Sequence, residues 1–462
     1  MPTPPGDLLP STRRSLAHAL AVAQATGRAP SIVGGVGRGG GLAWSGSRGT
    51  VGGAEPTADT QSRIGAITKT FIAVLVLRLR DEGRVDLADP VGRHVPGLPA
   101  PAGEVTVAAV LSHTAGIAAE TPPPWWERVD GSIRPDLADV LPPTPRVHPP
   151  GRRHHYSNPG YALLAGLVEH LRGAAWYDVL RREVLTPLGL DRTTAAPVPP
   201  HADGYAVHPW ADLLLPEPAH DAGRMAPAGQ LWSTLADLAG WAQVLLGHRP
   251  EVLHPDTARQ MRTPTSPPTG AEWEGGHGLG LQLTRSGGRL LAGHTGSMPG
   301  FVAALWVDPT EELAAMAMAN ATSGVPVGAV AASLLSTVAT AEPALPDPWE
   351  PLTELAPALL DVVGVWFWGA APLALRLRPG QALDLTPLLG TGRASGFRAA
   401  GPDAWTGTDG YSAGETLRVQ RAPGGTITHL DLASFVLTRA PYDAAAPIPG
   451  GVDPGGWQPA PR

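Results

Sequence analysis

Across residues 1–340, strand-like segments stand at both ends and a helical block fills the middle, so one sheet has to be completed by pieces of chain far apart in sequence. Ser31–Gly37 and Gly41–Trp44 are apolar and broken by glycines, as in a β-hairpin. The spacing predicts the strongest helix over Ile67–Glu82, where Phe71, Leu75 and Leu79, and Ile72 and Val76, recur at i, i+4 before Gly83. Further helices are predicted at Val107–Ser112, Gly160–Arg172, Trp176–Val184 and Thr234–Leu246. Strands return at Gly278–Thr284, Arg289–Ala292 and Val302–Val307, followed by an alanine-rich helix over Val325–Val338. Leu16, Leu20 and Val22 form an opening amphipathic helix. The Arg13-Arg14 pair before it makes a poor export signal, because His18 and Gln24 interrupt the apolar stretch, and a cytoplasmic protein is expected.

A stretch rich in Pro, Glu and Ala ends this unit, and 341–352 is assigned as a linker. Beyond it, Val363–Trp368, Leu373–Leu377, Leu417–Gln420 and Thr426–Thr438 alternate between Pro-Gly, Asp-Gly and Gly-Gly turns. They predict a small antiparallel β domain over 353–445, with 446–462 as a tail.

The formal net charge is −7 and no run of Lys and Arg is present, so nucleic acid and anionic membranes are excluded as expected partners. The absence of cysteine removes thiolate metal sites and a Cys nucleophile, leaving oxygen and nitrogen for any covalent chemistry. Among the 34 Lys and Arg residues, Lys69 is the single lysine. Arginine does not give up its proton at ordinary pH, whereas a desolvated lysine does, so the chain has one candidate amine base. No cofactor or metal is expected: His154-His155 lacks a third ligand at helical spacing and reads as a surface pair. Gly35-Val36-Gly37-Arg38-Gly39-Gly40 fits a dinucleotide fingerprint but no helix follows it, and Gly410-Tyr411-Ser412-Ala413-Gly414 fits a nucleophile elbow but leads into a strand.

Ala66 stands one helical turn before Lys69 at the start of the strong helix. In an S-x-x-K arrangement a serine attacks an acyl carbonyl, the amine takes its proton, and the helix N-terminus favours the developing negative charge. Position 66 suits that serine in every respect except its identity. Ser62 is no substitute, since Gly65 occupies the place of its lysine.

The flanking words extend the pattern. Ala66-Ile67-Thr68-Lys69, Tyr156-Ser157-Asn158 and His294-Thr295-Gly296 stand in the order of S-x-x-K, Y-x-N and K/H-T-G, with Leu111-Ser112-His113-Thr114-Ala115-Gly116, Pro187-Leu188-Gly189-Leu190 and Gly229-Gln230-Leu231-Trp232-Ser233 between them. Over roughly 10–340 the chain resembles the class C β-lactamase, DD-peptidase and serine-esterase superfamily of penicillin-binding-protein-like enzymes. The resemblance implies a β-lactamase/transpeptidase-like α/β (α+β) fold, with an antiparallel sheet flanked by helices and an all-helical subdomain. It implies Lys69 as the base, Tyr156 as its partner and proton donor, and Asn158 as the group that orients them. His294 and Thr295 would line the cleft and meet a carboxylate or carbonyl, and the backbone N–H groups of residue 66 and Ser297, beside Gly296, would hold the oxyanion. His113 is expected to be structural, while Tyr161 and Trp232 fit either the core or the cleft wall; Trp232 is carried as a substrate-binding candidate.

The C-terminal words around Gly364–Gly369, Gly414–Leu417 and Thr438–Asp443 resemble the lipocalin-like domain of penicillin-binding-protein-type thioesterases, which release and cyclise nonribosomal peptides. The implied substrate is a peptidyl thioester, such as one held on a peptidyl carrier protein. A D-amino-acid-specific peptidase, carboxypeptidase or esterase of the same fold is the near alternative, and a catalytically dead binding protein is the distant one. The retained Lys69, Tyr156, Asn158 and His294 favour an acyl-transfer enzyme that has lost only a hydroxyl at Ala66.

Overall fold

A computed structural model describes residues 8–269, 273–346, 348–353 and 357–441. The chain divides after Leu345 into two compact units.

The first unit is built on a seven-stranded antiparallel sheet. Its strands are β1 (Ser31–Arg38), β2 (Gly41–Gly49), β3 (Gly275–His277), β4 (Gln282–Ser286), β5 (Arg289–Met298), β6 (Phe301–Asp308) and β7 (Leu313–Ala319), in the order β2-β1-β7-β6-β5-β4-β3. The amino-terminal hairpin is thus completed by β7, with Ile32 opposite Ala319 and Arg38 opposite Leu313. The strand expected at Gly278–Thr284 starts late: residues 278–281 form a turn after β3, which ends at His277, and β4 begins at Gln282. The turn is forced, because Gly280 takes φ +81° and a methyl group there would lie 2.1 Å from the Ala73 methyl.

Helices α1 (Pro10–Gly27) and α5 (Val327–Ala341) cover one face of the sheet. Helix α1 buries Leu16, Leu20, Ala23 and Gly27, whereas Val22 is turned outward; the apolar stripe follows the three-and-four spacing rather than every apolar residue. The other face meets the helical block, whose main members are α2 (Thr68–Asp81), α3 (Asn158–Arg172) and α4 (Leu235–Leu246). Helix α2 is buried continuously from Thr68 to Leu77, so it is the axis of the block rather than a surface helix. Phe71 stacks on Trp241 of α4 at 3.9 Å, and the Trp241 indole N–H donates to Thr70 Oγ1 at 2.9 Å. The expected helix over Trp176–Val184 is α-helical to Leu180 and then widens into a π turn over Arg181–Leu185.

The second unit is an eight-stranded antiparallel meander with the strands in chain order: β8 (Gly364–Trp368), β9 (Ala371–Leu377), β10 (Leu383–Pro387), β11 (Ser395–Gly401), β12 (Ala404–Gly407), β13 (Thr416–Arg421), β14 (Ile427–Leu432) and β15 (Phe435–Leu437). Its ends meet: Phe367 and Thr438 exchange two backbone hydrogen bonds of 2.7 and 3.0 Å, as in a lipocalin-like barrel. Trp366, Leu383, Leu417 and Leu430 fill its core. Thr426–Thr438 is two strands rather than one, and β10, β11 and β12 lie where no strand is predicted. Ser412 sits buried in a short 3-10 turn ahead of β13, so no helix follows it as an elbow requires. Tyr442 and the assigned tail 446–462 lie outside the described residues. Among the described residues no helix is long and apolar enough to cross a membrane.

Candidate active site

Two glycines bring the start of α2 against β5. Gly65 takes φ +53° and a methyl group on it would lie 2.5 Å from the Ser297 nitrogen; one on Gly296 would lie 2.0 Å from the Ile64 oxygen and 2.9 Å from the Ala66 nitrogen. This approach sets the Ala66 turn beside the Gly296–Ser297 backbone at a cleft lined by Ala66, Tyr156, His294 and Thr295. The turn is held from behind by Arg63 pairing with Trp232, and by the Leu231 N–H donating to Thr68 Oγ1 at 3.2 Å.

Lys69 is fully buried below this turn. Its Nζ donates to Asn158 Oδ1 at 2.8 Å and to the Ala228 carbonyl at 2.6 Å, and lies 5.0 Å from the centre of the Tyr156 ring. Burial pulls its pKa down to about 7, although Glu120 and Glu127 act in the opposite direction. A neutral, proton-accepting amine is therefore well populated at neutral pH. Tyr156 moves the other way: burial, with Tyr161 and the same carboxylates, pushes its phenol well above the usual value, so it remains a proton donor.

Asn158 opens α3, and Ser157 caps that helix by accepting the Gly160 N–H at 3.1 Å. The carboxamide of Asn158 is shared: Oδ1 receives Lys69, and Nδ2 donates to Glu120 Oε1 at 2.7 Å. Glu120 and Glu127 carry no sequence spacing that relates them to Lys69 and were not anticipated. Burial pushes the Glu127 carboxyl up, with Glu120 adding to the effect.

His294 and Thr295 are neighbours on β5 but the pleat divides them. His294 lies opposite Leu305, which packs with the helical block, and Thr295 opposite Ala304, which packs with α1 and α5. His294 Nδ1 stands 2.5 Å from the Thr295 carbonyl, which can only accept, so Nδ1 carries the proton and Nε2 the lone pair. Burial, reinforced by Lys69, pulls the His294 pKa down to about 3, and the ring is neutral.

His113, His277 and His294 are buried together with one nitrogen from each inside 4.8 Å. His113 Nδ1 accepts the Ser157 N–H at 3.0 Å, which puts the ring proton on Nε2 and removes it as a ligand. The cluster thus offers a metal two lone pairs, and zinc–nitrogen bonds of about 2.0–2.1 Å require a tighter group. His113 itself stacks on Tyr156 at 4.3 Å and fixes its neighbour's backbone. His154 is not a surface residue: it is half-buried and stacks on His277 at 4.6 Å, because the loop before α3 turns it inward.

Trp232, a substrate-binding candidate from its place in the sequence, lies in the core instead. It is 2 % exposed and packs edge-on against Phe301 at 5.0 Å, drawn in by the two-residue strand that pairs it with Arg63. Tyr161 is also buried; its hydroxyl donates to the Leu111 carbonyl at 2.9 Å and its ring floors the Lys69 pocket at 5.7 Å.

Residues 16–339 match the Beta-lactamase family, and residues 355–439 match a domain family of unknown function, DUF7586. Penicillin-binding protein 4 of Amycolatopsis lactamdurans is 31% identical over 224 residues, covering 46% of this chain and 56% of that protein. The chain spans about half the length of the curated relatives it matches. Among solved structures, the octameric penicillin-binding protein homologue from Pyrococcus abyssi is similar with a TM-score of 0.62 at 20% identity, over 92% of this chain and 99% of that one. D-amino acid amidase from Ochrobactrum anthropi SV3, complexed with D-phenylalanine, is similar with a TM-score of 0.61 at 23% identity, over 72% and 100%. These structural likenesses establish a shared fold, that of the β-lactamase/transpeptidase type.

Proposed function

The chain belongs to the beta-lactamase family, and from that membership we propose that it is built for serine acyl transfer of the penicillin-binding-protein-type thioesterase kind, with Ala66 in the nucleophile's place. The observation that carries this reading is Lys69: the single lysine, buried, held by Asn158 and Ala228, with a pKa near 7. A chain with no acyl chemistry has no use for a desolvated amine at that position.

With a serine at 66, neutral Lys69 takes the hydroxyl proton as Oγ attacks the acyl carbonyl. The backbone N–H groups of residue 66 and Ser297 face the developing oxyanion. The proton then passes to the leaving group through Tyr156, whose phenol stays protonated, and the acyl group remains on the serine until an acceptor arrives. Glu120 and Glu127 put acidic groups beside Lys69, which favours a cationic acceptor such as the amino end of a peptide and so favours cyclisation over hydrolysis. We propose a peptidyl thioester as donor, delivered in the cytoplasm on a peptidyl carrier protein. A D-specific amidase or peptidase is the second reading, favoured by the fold shared with the amidase seen with D-phenylalanine.

The test is intact mass spectrometry of an Ala66→Ser protein incubated with a peptidyl thioester ending in a D-residue. An acyl adduct at position 66 is expected. If no activated acyl donor or β-lactam gives an adduct, the binding-protein reading replaces this one.

A further inference from the structure

The cleft beside Ala66 is a cavity of about 470 Å³ whose walls among the described residues include no Lys, Arg, Asp or Glu. Gln282 and Thr295 line it together with Val325, Val327 and Gly328 at and just before the start of α5, and Gly328 lies close against the Thr295 side chain. Gln282 is the half-buried first residue of β4 and lies opposite Gly293, so residues 294–298 of β5 have no β4 partner on this edge.

The hydrogen bonds here decide which groups still have a proton to give. The Thr295 backbone N–H and the Thr295 hydroxyl both donate to Gln282 Oε1, each at 3.1 Å. A backbone N–H can only donate, so that end of the carboxamide is the oxygen and the NH2 end is free of protein partners among the described residues. The Thr295 hydroxyl has spent its proton on Gln282, and the His294 ring has turned its N–H to the Thr295 carbonyl. The side chains of the two residues expected to meet a substrate carboxylate or carbonyl therefore offer it no proton, and Gln282, which no motif marks, offers two.

We propose that Gln282 determines specificity: its carboxamide nitrogen holds a neutral carbonyl of the acyl donor, and the subsite takes uncharged peptide, amide, ester or thioester groups while rejecting a free carboxylate. Magnitudes favour this division. Taking a carboxylate out of water costs far more than taking out a neutral carbonyl. The α5 N-terminus and a single amide donor, even with the bond strengthened by the negative charge, return only part of that cost. A neutral carbonyl has a much smaller desolvation cost, which one hydrogen bond offsets. The inference deepens the acyl-transfer reading and rests on it for the identity of the cleft.

With no nucleophile at position 66, any donor that the Ala66 protein binds stays intact, so affinity can be measured apart from chemistry. Calorimetric titration with acetyl-D-alanyl-D-alanine amide and with the corresponding free acid should show the amide binding at least about tenfold tighter. Gln282→Glu keeps an oxygen for Thr295 and removes the donor, and should weaken the amide about tenfold with the thermal midpoint unchanged; Gln282→Met serves if the added charge disturbs folding. Equal or tighter binding of the acid, or amide affinity unchanged in both variants, would overturn the proposal. Should affinity lie beyond the titration, the same amide-to-acid ratio is read as acylation kcat/KM in Ala66→Ser, with the same expected and overturning results. Affinity that falls in Gln282→Glu while Ala66→Ser fails to acylate would sink the catalytic reading and leave the subsite standing. No binding of either ligand together with no acylation counts against both.

Discussion

Asn158 holds the Lys69 amine at 2.8 Å through its carboxamide oxygen and spends its nitrogen on Glu120 at 2.7 Å. A neutral spacer therefore separates a buried amine from an acid that would otherwise fix its charge. Burial holds the pKa of Lys69 at about 7, where an exposed lysine has about 10.4, against the opposing pull of Glu120 and Glu127.

Asn158→Asp would replace the spacer with a carboxylate in direct contact. In the Ala66→Ser background it should move the pH midpoint of acylation upward by about one unit or more and cut the rate at pH 7 about tenfold or more. Single-turnover acylation followed from pH 5 to 10 measures both. A profile with an unmoved midpoint would mean that Lys69 is not the titrating base.

Lys69 also ties stability to pH. Its folded pKa, about 7, lies below its unfolded value, so between about 7 and 10.4 the unfolded chain holds a proton that the native chain has released. Stability attributable to this group is lowest below pH 7, where the native state buries a charge, and rises with pH at up to about 1.4 kcal/mol per unit. Urea midpoints at pH 6 and pH 9 should rise more in the parent than in Lys69→Met. Parallel slopes would show that the amine is not depressed.

Gly65 and Gly296 are where the helix turn and β5 touch, and neither position has room for a side chain. Gly65→Ala should cost about 2 kcal/mol or more, since a left-handed alanine alone costs about 1–2 kcal/mol and its methyl meets the Ser297 nitrogen. Donor binding should fall with it, because the two backbone N–H groups would be pushed apart. Full stability and affinity in Gly65→Ala would refute this geometry.

Trp232→Ala separates core from cleft. Buried against Phe301, it should cost about 3–5 kcal/mol in chemical denaturation. Were Trp232 instead a wall of the cleft, stability would hold and only ligand affinity would drop.

The site was legible in the sequence where chemistry demands a residue type at a spacing. Lys69 one turn after position 66, and Asn158 two residues after Tyr156, fall into contact because a helix turn and a helix cap fix those intervals locally. Gln282, Glu120 and Glu127 were not legible, since they arrive by packing between elements and no interval marks them. Trp232 was misplaced for the same reason: its motif fixes its position in the chain but not the face of the short strand that carries it. In the second unit, Ser395–Gly401 and Ala404–Gly407 are short and rich in Gly or Ala, so their alternation is faint, and Leu383–Pro387 alternates over only four residues before its proline. They form strands because the neighbouring rungs of the barrel require partners.

The pairing of β1 with β7 has a consequence for synthesis. The amino-terminal hairpin leaves the ribosome early, but the strand it needs for β1 is among the last pieces of its unit to appear. Until then, an apolar strand edge waits unpaired while the whole helical block is made, and a long loop has to close before β1 is rewarded. The second unit has no such wait, because each strand pairs with the one just made and the last closes on the first. Slow translation or a stall within residues 50–310 therefore exposes the nascent chain to wrong pairing at one edge, and chaperone dependence should concentrate in the first unit.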